Sequence, residues 1–269
     1  MKPKEKALSA LAILAGVIFL SPVLYSIWMS FQTARSYYAG GFEGTLRNYA
    51  VAIGQYNFAL YLFNSLLVSG VVTVVGLFVA TTAAFAFARF DFRGRDFLFG
   101  AVVATLMIPS HITLIPNYLT LAKAGLLDTY AGLVLPAISN GFAAFFLRQY
   151  IRGIPRALDE AAYMDGARPW QVLWRVIVPI SRPAIFSMGL YIFLAEWNNY
   201  IWPLVAVGDE DLYTLQLGLA RLYSVNPGEG LIDWPLVMAA STITILPVLL
   251  GFFLVERHLV RGITMGAVK

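Results

Sequence analysis

Of the 269 residues, 59% are hydrophobic and only 13% charged, with a mean hydropathy of +0.72. Soluble domains carry about a quarter of charged residues, so a water-soluble fold of this chain would lack the polar groups to cover its surface. Cysteine is absent, which excludes disulfides, thiol catalysis and iron–sulfur ligation, and the net charge of +4 comes from scattered basic residues rather than a patch suited to nucleic acid.

Crossing a bilayer takes about 20 apolar residues, and runs of that order occupy residues 7–31, 60–88, 97–122, 130–150, 183–207 and 234–255. They are continuous rather than alternating, so helices are expected and not a barrel. The first run follows a basic start and exceeds the apolar core of a cleavable signal, so it is read as a retained span. Pro109 and Pro116 in the third run and Pro203 in the fifth predict kinks or unwound backbone. The expectation is an all-α integral membrane protein with six transmembrane helices, a single domain over residues 1–269.

Orientation follows from the basic residues. With six spans, fifteen of the 19 Lys and Arg fall on the side of the termini, against Arg35, Arg47, Lys123 and Arg221 on the other. Positive residues mark the cytoplasmic side, so both termini are expected there. The acidic residues divide evenly between the sides, with Glu196 left inside a span.

Between the fourth and fifth runs lies the longest connection on that side, residues 152–179. Pro155 suits a helix start, where its missing N–H costs little. Asp159 and Glu160 complement the positive end of that helix. Gly166 fits the left-handed position that ends it, Pro169 opens a second helix, and Pro179 limits that one. Ala161, Ala162 and Ala167 are small enough for close approach of another surface, while Glu160 offers a charge. A plug for a partner's cleft and an amphipathic helix on lipid headgroups are both open on composition.

The spacing Glu160-Ala161-Ala162, three residues, Gly166, nine residues, Val176-Ile177-Val178-Pro179 resembles the EAA loop of ABC-type importer permeases. Asn64-Ser65-Leu66, Ala88-Arg89-Phe90 before Arg93-Gly94-Arg95, the run from Trp197 to Leu204, and Val260 to Thr264 followed by Gly266 to Lys269 are similar to the same subgroup. Together they cover the chain from about Asn64 to its end. They resemble the carbohydrate-uptake permeases related to the smaller membrane subunit of the maltose importer and to glycerol-3-phosphate permeases.

That resemblance implies the type I ABC importer permease fold and a role in importing a sugar, oligosaccharide or glycerol phosphate. Glu160, Ala161, Ala162, Asp165, Gly166 and Pro179 would couple the chain to a separate ATPase. Its partners would be a second homologous permease in a heterodimer, two copies of the ATP-binding subunit and an extracytoplasmic solute-binding protein, in a prokaryotic cell membrane. No Gly-x-x-x-x-Gly-Lys-[Ser/Thr] loop occurs, so ATP and Mg belong to the partner; the chain is read as non-catalytic and without a cofactor of its own.

Charge within a span is costly, about 2.5–3.5 kcal/mol for Asp, Lys or Arg on insertion scales, which singles out Glu196. With Trp197, Asn198, Asn199 and His111 it forms the candidate translocation pathway: amides bond hydroxyls, and an indole face suits the C–H surface of a sugar. An interhelical hydrogen bond or a gating contact by Glu196 is the competing reading, and a bond to a freed backbone carbonyl is that of His111. Asn64, Thr113, Asn117 and Asn140 are lesser candidates. His111 and His258 lie apart, and no metal-ligand cluster is evident. An ion-coupled secondary transporter is the alternative, with Glu196 and His111 as its only coupling groups, and a membrane enzyme has only Asp209, Glu210 and Asp211 to offer.

Overall fold

The computed structural model describes residues 3–109, 111–223 and 232–266. Among these the chain is helical: α1 (Pro3–Ser30), α2 (Ala34–Ala39), α3 (Arg47–Gly54), α4 (Phe58–Arg89), α5 (Arg95–Thr105), α6 (Leu114–Lys123), α7 (Tyr130–Val134), α8 (Gly141–Arg152), α9 (Ala157–Met164), α10 (Pro169–Val172), α11 (Val178–Ile180), α12 (Arg182–Trp197), α13 (Ile201–Ala206), α14 (Leu215–Leu222) and α15 (Trp234–Gly266). Residues 267–269 of the C-terminal motif lie outside the described residues.

Among the described residues, three helical segments are long and apolar enough to cross a membrane: Leu11–Ser30, Phe58–Arg89 and Trp234–Gly251. Two bent pairs raise the number to at most five, Tyr130–Ala137 with Gly141–Arg152 at 44° and Pro169–Ile180 with Arg182–Trp197 at 82°. The third apolar run of the sequence is divided into α5 and α6, with residues 106–113 between them. Pro109 supplies no backbone N–H to continue the first helix, and Pro116 sits in the opening turn of the second. The fifth run breaks at Asn198, ahead of α13.

The chain forms two compact units. One comprises residues 1–62 and 215–249. Within it Asn48 Nδ2 donates to the carbonyls of Ser30 (2.8 Å) and Gln32 (2.7 Å), tying α3 to the end of α1. Gly218 of α14 meets the Tyr61 ring so closely that a Cβ there would lie 2.2 Å from Cδ2. Many apolar side chains between Leu11 and Trp28 of α1 are left outward, Phe19 at 82% exposure, as hydrocarbon solvent permits, whereas Met29 is buried.

The other unit comprises residues 63–214 and 250–269 and contains the sites of interest. Its core gathers Val72, Ala84 and Phe85 of α4, Leu147 and Ile151 of α8, Val172, Leu173 and Ile177 of the second loop helix, and Met188 and Ile192 of α12. Small residues on α4 and α12 allow close packing: a Cβ at Gly189 would sit 3.1 Å from Leu77 Cδ1. Asn64, at the start of this unit, donates to the carbonyls of Asp211 (2.8 Å) and Tyr213 (2.9 Å) and accepts from the Tyr130 hydroxyl (2.6 Å). It therefore ties α4 to the start of α7 and to the segment around residues 211–213.

Candidate functional site

The loop helix and the transmembrane polar cluster both take shape within residues 63–214. α9 begins after Pro155 with Arg156 at its N-cap and ends at Asp165, followed by Gly166 at φ +79°. A residue with a Cβ is strained there, which is why glycine stops this helix. Pro169 opens α10, and Gln171 Oε1 accepts from the Arg168 N–H at 2.8 Å to close its first turn. The second helix does not end at Pro179 as its sequence suggests. Residues Leu173–Ile177 widen into a π-helix, where the Val178 N–H reaches back to the Leu173 carbonyl, and the chain runs through Pro179 to Ile180. The wider turn accommodates a proline that cannot donate to the preceding turn.

α9 presents two faces. Asp159 points inward, and Ala162 packs with Ala167 against the core. Glu160, Ala161 and Asp165 are exposed, as is Met164 at 88%. Arg89, the last residue of α4, fastens the inner face: its Nε lies 2.5 Å from Asp159 Oδ2, and its Nη2 donates to the Ile154 carbonyl at 3.0 Å. Burial pushes the Asp159 carboxyl above its usual value, against the pull of Arg89 and Arg156. Burial also raises the Tyr163 hydroxyl beside it. Trp170 and Trp174 lie against Phe78 of α4, at ring distances of 6.1 and 6.0 Å. A span and the loop are thus bound by an ion pair and an aromatic cluster. Of the three small residues expected to admit another surface, Ala161 is exposed but Ala162 and Ala167 are taken up by the core; Arg89 and Asp159, seventy positions apart, looked like separate topology and helix-end charges.

The polar cluster borders a cavity of about 550 Å³. Four of the five candidate pathway residues line it: His111, Glu196, Asn198 and Asn199. Trp197 does not. It is 1% exposed and stacks on Phe193 at 5.4 Å, because the helical turn directs it away from its neighbours into the packed side. Asn199 is the connector: its Nδ2 donates to Glu196 Oε2 at 3.2 Å, and its Oδ1 accepts from the Trp202 backbone N–H at 3.3 Å. The unwound step between α12 and α13 therefore has its freed donor satisfied within the cavity wall. Thr113 and Asn117 also line the cavity, whereas Asn140 caps α8 through the Ala143 N–H.

Aromatic residues that sequence reasoning passed over complete the wall: Tyr191, Tyr200 and Trp202. The buried Trp202 indole donates to the Gly132 carbonyl at 3.1 Å. Gly132 has no room for a side chain, since a Cβ would fall 2.1 Å from the Leu126 carbonyl oxygen. Beyond α13, Asp128 Oδ1 accepts from the backbone N–H groups of Gly208 (2.5 Å) and Asp209 (3.0 Å), which hold its carboxyl below the ordinary value. Tyr191 recurs one helical turn before Ala195, and Tyr200 and Trp202 flank the break. That spacing is the signal that could have found them.

Residues 73–265 match the family described as the binding-protein-dependent transport system inner membrane component. An arabinooligosaccharide transport system permease protein, AraQ, of Halalkalibacterium halodurans is 35% identical over 77% of this chain and 72% of its own. The sn-glycerol-3-phosphate transport system permease protein UgpE of Pectobacterium atrosepticum is 34% identical, covering 77% and 73%. The lactose transport system permease protein LacG of Rhizobium radiobacter is 32% identical, covering 82% and 80%. Among solved structures, a bacterial ABC transporter involved in the import of the acidic polysaccharide alginate matches with a TM-score of 0.82 at 24% identity, covering 96% of this chain and 98% of that one. Its likeness establishes the fold. With the family match spanning most of its length, the chain belongs to the inner membrane components of binding-protein-dependent transport systems, the non-catalytic permease subunits of ABC importers.

Proposed function

We propose that this permease forms half of the translocation pathway for a sugar or oligosaccharide, and that α9 couples it to a separate ATPase. The observation that carries the coupling assignment is the two-sided character of α9. Its inner face is fastened to span α4 by the Arg89–Asp159 pair, while Glu160, Ala161 and Met164 are exposed among the described residues. A docking helix needs both: an exposed face of low relief for the partner, and a rigid link to the membrane helices so that movement of one becomes movement of the other.

The pathway assignment rests on the chemistry of the cavity. Amides, hydroxyls, a carboxylate and three aromatic side chains line it, and neither Lys nor Arg is among its described lining residues. Such a wall suits an uncharged, hydroxyl-rich solute: amides and phenols bond hydroxyls, and indole and phenol rings cover C–H surface. A phosphate or a uronate would meet Glu196 with the imidazole of His111 as the sole basic side chain among the described lining residues, so a neutral saccharide is preferred over glycerol phosphate.

The chain is read as six spans, with α5 and α6 as a broken third and both termini cytoplasmic, and as one permease domain over residues 1–269. It would work beside a second homologous permease, two ATP-binding subunits that carry ATP and Mg, and a solute-binding protein. Affinity purification of the tagged chain in mild detergent, with mass spectrometry of its companions, tests the assembly. Recovery of a P-loop ATPase and a second permease is expected. A well-folded homo-oligomer free of ATPase would refute the coupling role.

A further inference from the structure

A second cavity, of about 280 Å³, lies where the ends of α4 and α8 meet the start of α5. It is lined by Phe87, Ala88, Arg95, Asp96, Arg148, Arg152 and Arg156. Four guanidinium groups thus surround one small space that contains one carboxylate. Arg95 is already paired, with Asp91 and with Asp96. For Arg148, Arg152 and Arg156 no carboxylate lies within ion-pair distance among the described residues; Asp96, already paired with Arg95, attracts Arg148 and Arg152 only at longer range.

Arg148 is the fixed member of the set. It is 7% exposed, its Nε donates to the Phe87 carbonyl at 3.2 Å, and its guanidinium lies 3.7 Å above the Phe99 ring. Placing further arginines beside a buried one is unfavourable unless an anion joins them. Arg152 and Arg156 line the same cavity and are exposed.

The surroundings indicate which anion. α4 is a candidate span whose last turn supplies Phe87 and Ala88, and α8 closes one of the bent apolar pairs, so the cavity sits at the end of the hydrocarbon-crossing segments. Immediately beside it on the chain, Phe97 is 80% exposed and Leu98 and Phe92 are also outward, a surface fit for acyl chains. The planar guanidinium fork matches phosphate oxygens two at a time, and basic pockets between transmembrane helices hold lipid headgroups. We infer that this arginine pocket binds the phosphate of an anionic phospholipid headgroup, anchoring the junction of α4, α5 and α8 to the membrane surface.

The test is native mass spectrometry of the tagged full-length chain, with the partners that co-purify, in mixed micelles of phosphatidylglycerol and phosphatidylcholine. The wild type is expected to retain phosphatidylglycerol selectively. Arg152→Gln with Arg156→Gln is expected to lower that retention by about fivefold per arginine removed. Arg152→Lys with Arg156→Lys, which keeps the charge but not the fork, is expected to fall between. The control pair Arg175→Gln with Arg182→Gln, exposed residues outside the pocket, should retain lipid as the wild type does.

Equal retention by the Gln pair and the wild type, in protein of equal monodispersity, would overturn the site. So would equal retention of the two lipids. Millimolar inorganic phosphate should not displace the lipid; if labelled phosphate binds saturably and phosphatidylglycerol does not compete, the anion is soluble and the lipid assignment falls. Lipid present on the stripped chain but absent from the assembled complex would likewise overturn it, in favour of an acidic surface on the partner.

Discussion

Arg89 closes helix α4 and places its Nε 2.5 Å from Asp159 on helix α9, with the two side chains only 6% and 7% exposed. The pair crosses from a membrane-spanning helix to the loop proposed to meet the ATPase. Removing one partner of a buried pair strands the other, a loss of about 3–5 kcal/mol, whereas replacing both with apolar groups of similar volume is often neutral. Asp159→Leu alone is therefore expected to lower the thermal midpoint of the purified chain sharply, and Arg89→Met with Asp159→Leu to recover most of it. If the link transmits movement, the double variant will be stable yet poorly coupled, seen as ATPase activity that no longer tracks uptake. Additive stability losses would show that the two charges do not act as a pair.

Asp159 also makes a pH prediction. Burial raises its carboxyl above the ordinary value of 3.8 despite Arg89. The folded chain then binds the proton more tightly than the unfolded one, so this group's contribution to stability falls as pH rises through the raised value, and is most favourable below the unfolded value. Measured from about pH 4 upward, the wild type should lose stability with rising pH relative to Asp159→Asn, whose side chain does not titrate. A difference between the two that does not change with pH over that range would contradict the assignment.

Gly166, at φ +79°, follows the C-terminus of α9, and Glu160 is exposed in its first turn. Gly166→Pro cannot adopt the required φ and disturbs only the loop. Glu160→Lys reverses a surface charge without touching the core. Both variants are expected in the membrane at normal abundance, with uptake reduced by about tenfold or more, the equivalent of roughly 1.4 kcal/mol, and ATPase activity released from its dependence on solute. Normal uptake by both would remove α9 from the coupling role.

In the cavity, Asn199 links Glu196 to the Trp202 backbone. Asn199→Leu should strand both partners and cost about 1–3 kcal/mol, read as a lower transport rate at unchanged expression. Glu196→Gln keeps a hydrogen-bonding group and should preserve neutral-sugar uptake. Competition assays in cells should show inhibition by neutral oligosaccharides and none by glycerol 3-phosphate; effective competition by the phosphate would contradict the reading of the cavity wall.

Gly132 tests the architecture of that wall. With a Cβ only 2.1 Å from the Leu126 carbonyl oxygen, Gly132→Ala must move backbone and not merely a side chain. A loss of at least about 1–3 kcal/mol is expected from such overpacking, together with weaker positioning of Trp202, whose indole bonds the Gly132 carbonyl. Thermal midpoint and transport should fall together; a variant with wild-type stability would contradict the tight packing.

Composition and local chemistry alone determined the membrane class, the helical secondary structure and the left-handed Gly166, because hydropathy over 20 residues and the φ preference of glycine are local properties. They also singled out Glu196, since a charge in an apolar run is visible without coordinates. Tertiary structure alone decided the rest. Whether Trp197 lines the cavity or the core depends on the rotation of α12, which periodicity over one short helix does not set, and the structure buries it. Tyr191, Tyr200 and Trp202 join the wall because the chain unwinds between α12 and α13. Asp159 and Arg89 meet across seventy residues, and four arginines from three segments surround one space. Such contacts arise from packing between distant segments, and no local pattern of residues encodes them.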